Sequence, residues 1–211
     1  MSASLHRSDL APAVFLDKDG TLVRDIPYNV DPRQIRLLPK VGAGLRLLAA
    51  HGYRLIVVSN QSGVARGLFE EQALSVVETR LRELLARQGV SLDGFYYCPH
   101  LPNARIQRYA RRCNCRKPRA GMLMRAASEH AIDLARSWLL GDILNDVEAA
   151  HRAGCRGVLI DNGNETEWKM TAQRIPDWIA PDIGDAARLI IGEQRRHSAV
   201  HASWGVRVGH A

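Results

Sequence analysis

The sequence predicts an α/β protein in which helices cover both faces of a doubly wound, mostly parallel β-sheet. Short apolar runs of strand length alternate along the chain with longer segments of helical spacing. The apolar runs are uninterrupted, as expected for strands that are buried on both faces. Strands that are joined through helices run parallel, because the chain must cross back over the sheet between them. With 211 residues and 46% hydrophobic content, the chain can bury such a core.

The order of elements indicates one large domain without a large cap. The predicted strands are 13–17, 54–60, 94–98, 137–142 and 156–161. The predicted helices are 41–51, an amphipathic segment from Glu70 to Gly89, 121–131, 145–154 and 182–194. A loop over 98–118 is long enough to be either functional or disordered. We place the domain at 1–192, followed by a C-terminal tail over 193–211 in which no periodicity predicts order.

Charge and hydropathy limit the class of partner. Lys and Arg exceed Asp and Glu by 29 to 22, which gives a formal net charge of +7. This balance favours an anionic partner, namely a phosphorylated metabolite, a nucleic acid or a membrane surface, without choosing among them. No apolar run reaches the length of a membrane span, and the N-terminus has no apolar core of a secretory signal. We therefore expect a cytoplasmic protein without a membrane partner.

The stretch FLDKDGTLV, residues 15–23, ends the first strand with two carboxylates. Residues i and i+2 of an extended chain project to the same side, so Asp17 and Asp19 are expected to face one centre while Lys18 points away. Two close carboxylates repel each other and need a cation or a shared proton. Beside a divalent ion, one carboxylate can attack phosphorus while the other transfers a proton.

Three further polar segments come at or near predicted strand ends. They are SNQSG (59–63), RKP (116–118) and GDILND (141–146). The first offers a hydroxyl and amides to phosphate oxygens, and the second supplies two cations. In the third, Asp142 can reach a metal ion and Asp146 lies in the first turn of the next helix. Ligands of an open α/β sheet bind beyond the carboxyl ends of its strands, so these segments predict a phosphate site at that edge.

In this order the motifs resemble those of the haloacid dehalogenase (HAD) superfamily of aspartate-nucleophile phosphatases. The matching positions are Asp17-x-Asp19-Gly20-Thr21, Ser59, Lys117 and Gly141-Asp142-xxx-Asp146. The resemblance implies a HAD-like, Rossmann-type fold with Asp17 as nucleophile and Asp19 as general acid and base. It also implies that Ser59 and Lys117 hold the phosphoryl oxygens. Mg²⁺ would be bound by Asp17, the backbone carbonyl of Asp19, and Asp142.

The long loop carries a second set of metal-binding side chains. Cys98, His100, Cys113 and Cys115 offer three thiolates and one imidazole, a complete tetrahedral set for Zn²⁺ without an open position. Such a site staples a loop rather than doing chemistry. We therefore predict a structural zinc ion over 98–117.

CPH (98–100), NQSGVARG (60–67) and CNCRKPRAGM (113–122) are similar to segments of the D-glycero-D-manno-heptose 1,7-bisphosphate 7-phosphatase family. That resemblance implies removal of the 7-phosphate of this sugar bisphosphate, a step toward lipopolysaccharide precursors. We expect the enzyme to be a monomer. The implied substrate contacts are Asp25, Ile26, Pro27, Tyr28, Ser59, Asn60, Gln61, Ser62, Arg116 and Lys117. Ile143 departs from the family, which typically has a lysine after the aspartate equivalent to Asp142.

Three alternatives remain open at the level of sequence. The first is a histidinol-phosphate phosphatase, because related enzymes share the CPH…CxCRKP pattern, or another small-metabolite phosphatase. The second is a nucleic-acid-binding module or polynucleotide 3′-phosphatase that uses the arginine-rich loop; Tyr109 is the only aromatic side chain interleaved with these arginines, so stacking platforms for bases are missing and no nucleic-acid partner is expected. The third is a binding protein without turnover, which is disfavoured because every acidic residue that the mechanism needs is present.

Overall fold

The computed structural model describes residues 10–205, with side chains up to Arg196. Its centre is a six-stranded, wholly parallel sheet with the strand order β3-β2-β1-β4-β5-β6. The strands are β1 (Ala13–Leu16), β2 (Arg54–Asn60), β3 (Gly94–Cys98), β4 (Trp138–Gly141), β5 (Arg156–Ile160) and β6 (Trp178–Ala180). The prediction of a doubly wound parallel sheet is confirmed.

Helices cover both faces of the sheet. They are α1 (Val41–Ala50), α2 (Gly63–Arg66), α3 (Ala73–Ala86), α4 (Gly121–His130), α5 (Leu144–Ala153) and α6 (Ile183–Gly205). One face packs against α1, α3 and α6, and the other packs against α4 and α5. The faces alternate along β1, where Val14 and Leu16 join the first core and Phe15 joins the second. This two-sided burial explains why the strands are continuous apolar runs.

One strand and one α-helix were missed by the sequence analysis. Strand β6 has only three residues, two of them exposed, so it lacks the apolar run that marked the other strands. Helix α2 is a single turn of four residues, too short for a helical spacing to show. Among residues 10–205, no helix combines the length and apolarity that crossing a membrane requires.

The C-terminal helix differs in length from the prediction. Helix α6 extends to Gly205, so the helix predicted over 182–194 continues through 195–205, where the sequence predicted no order. Residues 1–9, for which we predicted no secretory signal, lie outside the described residues. Residues 206–211 of the predicted tail also lie outside them.

Candidate active site

The site lies where the order of the strands reverses. Strands β1 and β4 are neighbours although four α-helices and two strands separate them in sequence. Leu16 is aligned with Leu140, and the Asp17 N–H donates to the Leu140 carbonyl at 2.9 Å. Asp17, at the end of β1, is thereby brought beside Asp142, which follows β4. Such a switch point is the usual ligand site of an open parallel sheet.

Three buried carboxylates meet there and form what we call the carboxylate cluster: Asp17, Asp142 and Asp146. Each offers one oxygen within 4.8 Å of the others. Asp146 lies in the first turn of α5, against Gly141, where an added Cβ would come within 2.3 Å of the Asp146 side chain. Burial and the charge of Asp17 raise the pKa of Asp142 to about 6. Burial likewise raises the pKa of Asp146 to about 7, although Lys117 opposes the shift.

Lys117 is the cation inside this cluster. Its ammonium donates to Asp17 Oδ1 at 2.6 Å and to the Val58 carbonyl at 2.9 Å, and it lies 2.6 Å from Asp146 Oδ1. Burial alone would lower the pKa of Lys117, but the charges of Asp146 and Asp17 outweigh burial and raise it above its ordinary value. A fully charged ammonium therefore sits beside the predicted nucleophile.

One ammonium does not balance three carboxylates, and the remaining donor atoms suit a divalent cation. In the part of the chain whose side chains are described, no hydrogen bond reaches the buried Asp146 Oδ2. The raised pKa values of Asp142 and Asp146 show that negative charge is costly here without a further cation. Carboxylate oxygens are the ligands that Mg²⁺ prefers, so these residues fit that ion.

Asp19 faces the same edge but is held by different partners. Its carboxylate accepts a hydrogen bond from Gln61 Nε2 at 3.0 Å and pairs with the Lys18 ammonium. The expectation that Lys18 points away was wrong, because its buried chain bends back to the neighbouring carboxylate. Burial raises the pKa of Asp19, which suits a group that must carry a proton in part of a reaction cycle.

The end of strand β2 connects these groups. Gln61 Nε2 also donates to the buried Ser59 Oγ at 2.8 Å, which leaves the Ser59 hydroxyl proton for another acceptor. Asn60 exchanges two hydrogen bonds with the backbone of Lys117, at 3.0 and 3.1 Å. The side chains of 59–61 thus tie together Asp19 and the segment that carries Lys117.

A cavity of about 270 Å³ opens beside Asp19. It is lined by Asp19, Asp25, Pro27, Tyr28, Asn29, Asn60, Gln61, Ser62 and Gly63. Most of the predicted substrate contacts meet in this cavity, but Ile26, Ser59 and Lys117 are not part of its lining. The guanidinium of Arg66 lies 5.7 Å from the centre of the Tyr28 ring and covers it from outside.

Arg116 lies apart from that cavity. It lines a separate basic groove of about 300 Å³ and donates to the His100 carbonyl at 3.4 Å. The structure therefore does not bring Arg116 together with Asp25 and Tyr28 in one pocket.

The predicted zinc ligands also meet, and we call Cys98, His100, Cys113 and Cys115 the thiol–imidazole cluster. Its sulfur atoms lie 3.0 to 3.5 Å from one another, and His100 Nδ1 lies 3.3 Å from Cys115 Sγ and 3.6 Å from Cys98 Sγ. All four donor atoms fall within 4.8 Å of one another, so the cluster can hold one metal ion. None of these cysteines is in a disulfide.

Two contributions were not foreseen from the sequence. Asp146 was recognised as part of a motif but was given no role, and the structure makes it a partner of Lys117. Asn164 reaches Asp142 from the loop after β5, with Nδ2 at 2.6 Å from Oδ2. The position of Asp146 in a known motif could have suggested its role, whereas no local pattern marks Asn164.

Comparisons with known proteins agree with this geometry. A family model described as HAD-hydrolase-like matches residues 114–186. The 7-phosphatase of D-glycero-beta-D-manno-heptose-1,7-bisphosphate from Photorhabdus laumondii is 38% identical over 183 residues, 86% of this chain and 96% of the relative. The Escherichia coli K12 enzyme of the same name is 36% identical over 185 residues, 87% of this chain and 96% of the relative.

A solved structure is also similar. The D,D-heptose 1,7-bisphosphate phosphatase of B. bronchiseptica, complexed with magnesium and phosphate, matches with a TM-score of 0.70 and 28% identity. The match covers 86% of this chain and 99% of that one. By its relatives and its fold, the chain belongs to the D-glycero-β-D-manno-heptose-1,7-bisphosphate 7-phosphatase family of HAD-like hydrolases.

Proposed function

We propose that this protein is a Mg²⁺-dependent phosphatase that removes the 7-phosphate of D-glycero-D-manno-heptose 1,7-bisphosphate, with Asp17 as nucleophile. The observation that carries the proposal is the position of Asp17 at the switch point, between Asp142 on one side and the Lys117 ammonium on the other. The substrate rests on the names of the curated relatives. The same names do not favour histidinol phosphate.

The metal site is assigned to Asp17, Asp142 and the backbone carbonyl of Asp19. Bound Mg²⁺ would neutralise charge on the carboxylates and on the phosphoryl oxygens, so that the Asp17 carboxylate can approach the anionic phosphoryl group. Lys117 supplies a second positive charge on the Asp17 side. Because Lys117 is held by three oxygens, its ammonium is preorganised and needs no rearrangement when the phosphoryl group arrives.

The reaction divides between two carboxylates. An Asp17 oxygen forms a bond to phosphorus as the bond to the sugar oxygen breaks, and Asp19 gives its proton to that leaving oxygen. Asp19 then takes a proton from water, whose oxygen attacks the phosphorus of the aspartyl-phosphate and releases phosphate from Asp17. The Ser59 hydroxyl, oriented by Gln61, donates to a phosphoryl oxygen.

The cavity beside Asp19 is proposed to bind the sugar through Asp25, Pro27, Tyr28, Asn60 and Ser62. We retain Ile26 and Arg116 as proposed contacts, although they do not line this cavity.

We further propose that the thiol–imidazole cluster holds a structural Zn²⁺, since three thiols and one imidazole fill a tetrahedral shell. Unpaired cysteines of this kind are typical of reducing compartments, which supports a cytoplasmic location. A monomer, a domain boundary near 192 and the absence of a nucleic-acid partner remain part of the proposal.

The test measures phosphate release from a panel containing the heptose bisphosphate, histidinol phosphate and simple sugar phosphates. We expect wild type to prefer the heptose bisphosphate and to require Mg²⁺, and Asp17→Asn to lose about 10⁴-fold or more in kcat. Asp31→Asn, at a partly exposed aspartate outside the carboxylate cluster, is a matched control and should retain activity. Equal rates for wild type and Asp17→Asn would refute the catalytic assignment, and a preference for histidinol phosphate would refute the substrate.

A further inference from the structure

The segment that follows β5, residues 161–165, contacts two parts of the catalytic edge. Asn162 Nδ2 donates to the Gly20 carbonyl at 2.5 Å. Asn164 Nδ2 donates to Asp142 Oδ2 at 2.6 Å. The Asn164 backbone N–H donates to Asn162 Oδ1 at 3.2 Å, which fixes the turn around Gly163. One short loop thus reaches both the turn after Asp19 and the carboxylate that follows β4.

The contact is tight. Gly20 has a φ of +76°, and a Cβ at that position would come within 1.9 Å of Asp142 Oδ2 and 2.4 Å of Asn164 Nδ2. The glycine backbone, the carboxylate and the amide therefore pack directly on one another. Truncating Asn164 would leave a gap against Asp142 Oδ2, and Gly20 has no side chain that could fill it.

The two oxygens of Asp142 have one side-chain donor each. Asp142 Oδ1 accepts from the Thr21 hydroxyl at 3.3 Å, and Oδ2 accepts from Asn164. Two donors on different oxygens restrict rotation of the carboxylate about its terminal bond. Carboxylates that bind metal ions are commonly oriented in this way, and losing an orienting partner typically costs metal affinity.

The same loop supplies a hydrogen-bond acceptor for the start of α5 that Ile143 cannot provide. Ile143 is the N-cap of α5, and its apolar side chain cannot accept a hydrogen bond from the free N–H groups of the helix. Glu165 Oε2 accepts from the Leu144 N–H at 2.7 Å instead. Polar contacts on this side of Asp142 therefore come from 161–165 rather than from the residue next to it in sequence.

We propose that Asn164 is a positioning residue that holds Asp142 in the orientation needed to bind Mg²⁺. The inference rests on the proposed function in one respect, namely that Asp142 is a magnesium ligand. It adds a residue from outside the four motifs to the machinery of the site, and it identifies the loop after β5 as the element through which Mg²⁺ affinity is set.

The experiment measures Mg²⁺ binding to the full chain by calorimetry without substrate, together with the Mg²⁺ dependence of phosphate release. Asn164→Ala should weaken Mg²⁺ binding by about 10-fold, with kcat at saturating Mg²⁺ within about 2-fold of wild type. Thr166→Ala, an exposed residue of the same loop, is the matched control and should bind Mg²⁺ as wild type does. Asn162→Ala should show a smaller loss, because it acts on Asp142 only through the turn.

Equal Mg²⁺ affinity in wild type and Asn164→Ala would overturn the inference, and so would a lower Tm with unchanged affinity, which a merely structural contact would produce. Asp142→Asn separates this failure from that of the proposed function. If Asp142→Asn loses Mg²⁺ binding while Asn164→Ala does not, only the inference fails. If Asp142→Asn binds Mg²⁺ like wild type, the metal assignment fails and the inference fails with it.

Discussion

The carboxylate cluster and the thiol–imidazole cluster are built over very different distances along the chain. All members of the thiol–imidazole cluster come from one segment, 98–115. The carboxylate cluster joins the end of β1 to the end of β4 and the start of α5, and its cation comes from a fourth segment. The first cluster needs a loop to fold back on itself, whereas the second exists only when β1 and β4 pair.

The clusters also differ in whether they leave room for a substrate. Four soft donors complete a tetrahedral shell, so the thiol–imidazole cluster has no position for a substrate. The Asp17 side chain keeps 12% of its surface exposed, and its neighbour Asp19 lines a cavity. Metal-binding residues are therefore not by themselves an active site: only the carboxylate cluster has an open side and a built-in cation.

The largest expected effect comes from removing that cation. Lys117→Met leaves Asp17 and Asp146 buried without their partner, so the free energy of unfolding should fall by roughly 3–5 kcal/mol and activity should be lost. Urea denaturation measures the first and phosphate release the second. Lys40→Met, which removes the ion pairs of an exposed ammonium with Asp182 and Asp185, is the control and should destabilise the protein far less, because solvent screens these pairs. Similar losses for both lysines would contradict the role of burial.

The thiol–imidazole cluster should affect stability more than chemistry. After a chelator has removed all metal and Mg²⁺ alone has been added back, the Tm should lie about 5–10 °C below that of the untreated protein. This corresponds to roughly 2–3 kcal/mol in the free energy of unfolding of a chain of this size. Cys113→Ser should abolish this response to the chelator. Cys155→Ala, a buried thiol outside the cluster, should keep it. A response that survives Cys113→Ser would show that the metal is held elsewhere.

The carboxylate cluster should make stability depend on pH and Mg²⁺ together. The pKa values of Asp142 and Asp146 are raised from 3.8 to about 6 and about 7. Between the ordinary value and these raised values, the folded metal-free protein therefore holds protons that the unfolded chain has already lost. Its free energy of unfolding should therefore fall by roughly 1 kcal/mol or more as the pH rises through that window. Stabilisation by Mg²⁺, measured as a Tm shift, should grow over the same range.

Asp146→Asn is the control for this pH dependence, because it removes the group with the larger shift and should flatten the slope. A metal-free protein whose stability is constant or rises between about pH 4 and pH 7 would contradict the expected sign.

The smallest expected effect concerns Arg111, whose Nη2 lies 2.8 Å from His100 Nε2. His100 turns Nδ1 toward the sulfurs, so a metal on Nδ1 leaves a proton on Nε2, which cannot accept from a guanidinium. Arg111→Ala should therefore change metal retention by less than about 2-fold, since the contact does not support the bound metal. Zinc content after gel filtration measures this, and a strong loss would show that Arg111 orients the ligand.

Much of the fold follows from local patterns. Five strands were predicted within a residue or two because each is a continuous apolar run that ends at a polar segment, as at Leu16 before Asp17. Strand β6 escaped because a three-residue edge strand with two exposed residues carries no such run. Helix α6 was predicted too short because residues 195–205 show no apolar periodicity.

The order of residues alone identifies the chemical groups of the site, namely the carboxylates, thiols and ammonium groups, and shows that they follow strands of a parallel sheet. Which of these groups touch one another depends on how the chain folds. The tertiary structure turned Lys18 onto Asp19, placed Arg116 in a separate groove, and brought Asn164 to Asp142. The physical reason is that strand pairing and loop packing act between segments distant in sequence, and no local pattern of residues encodes those distances.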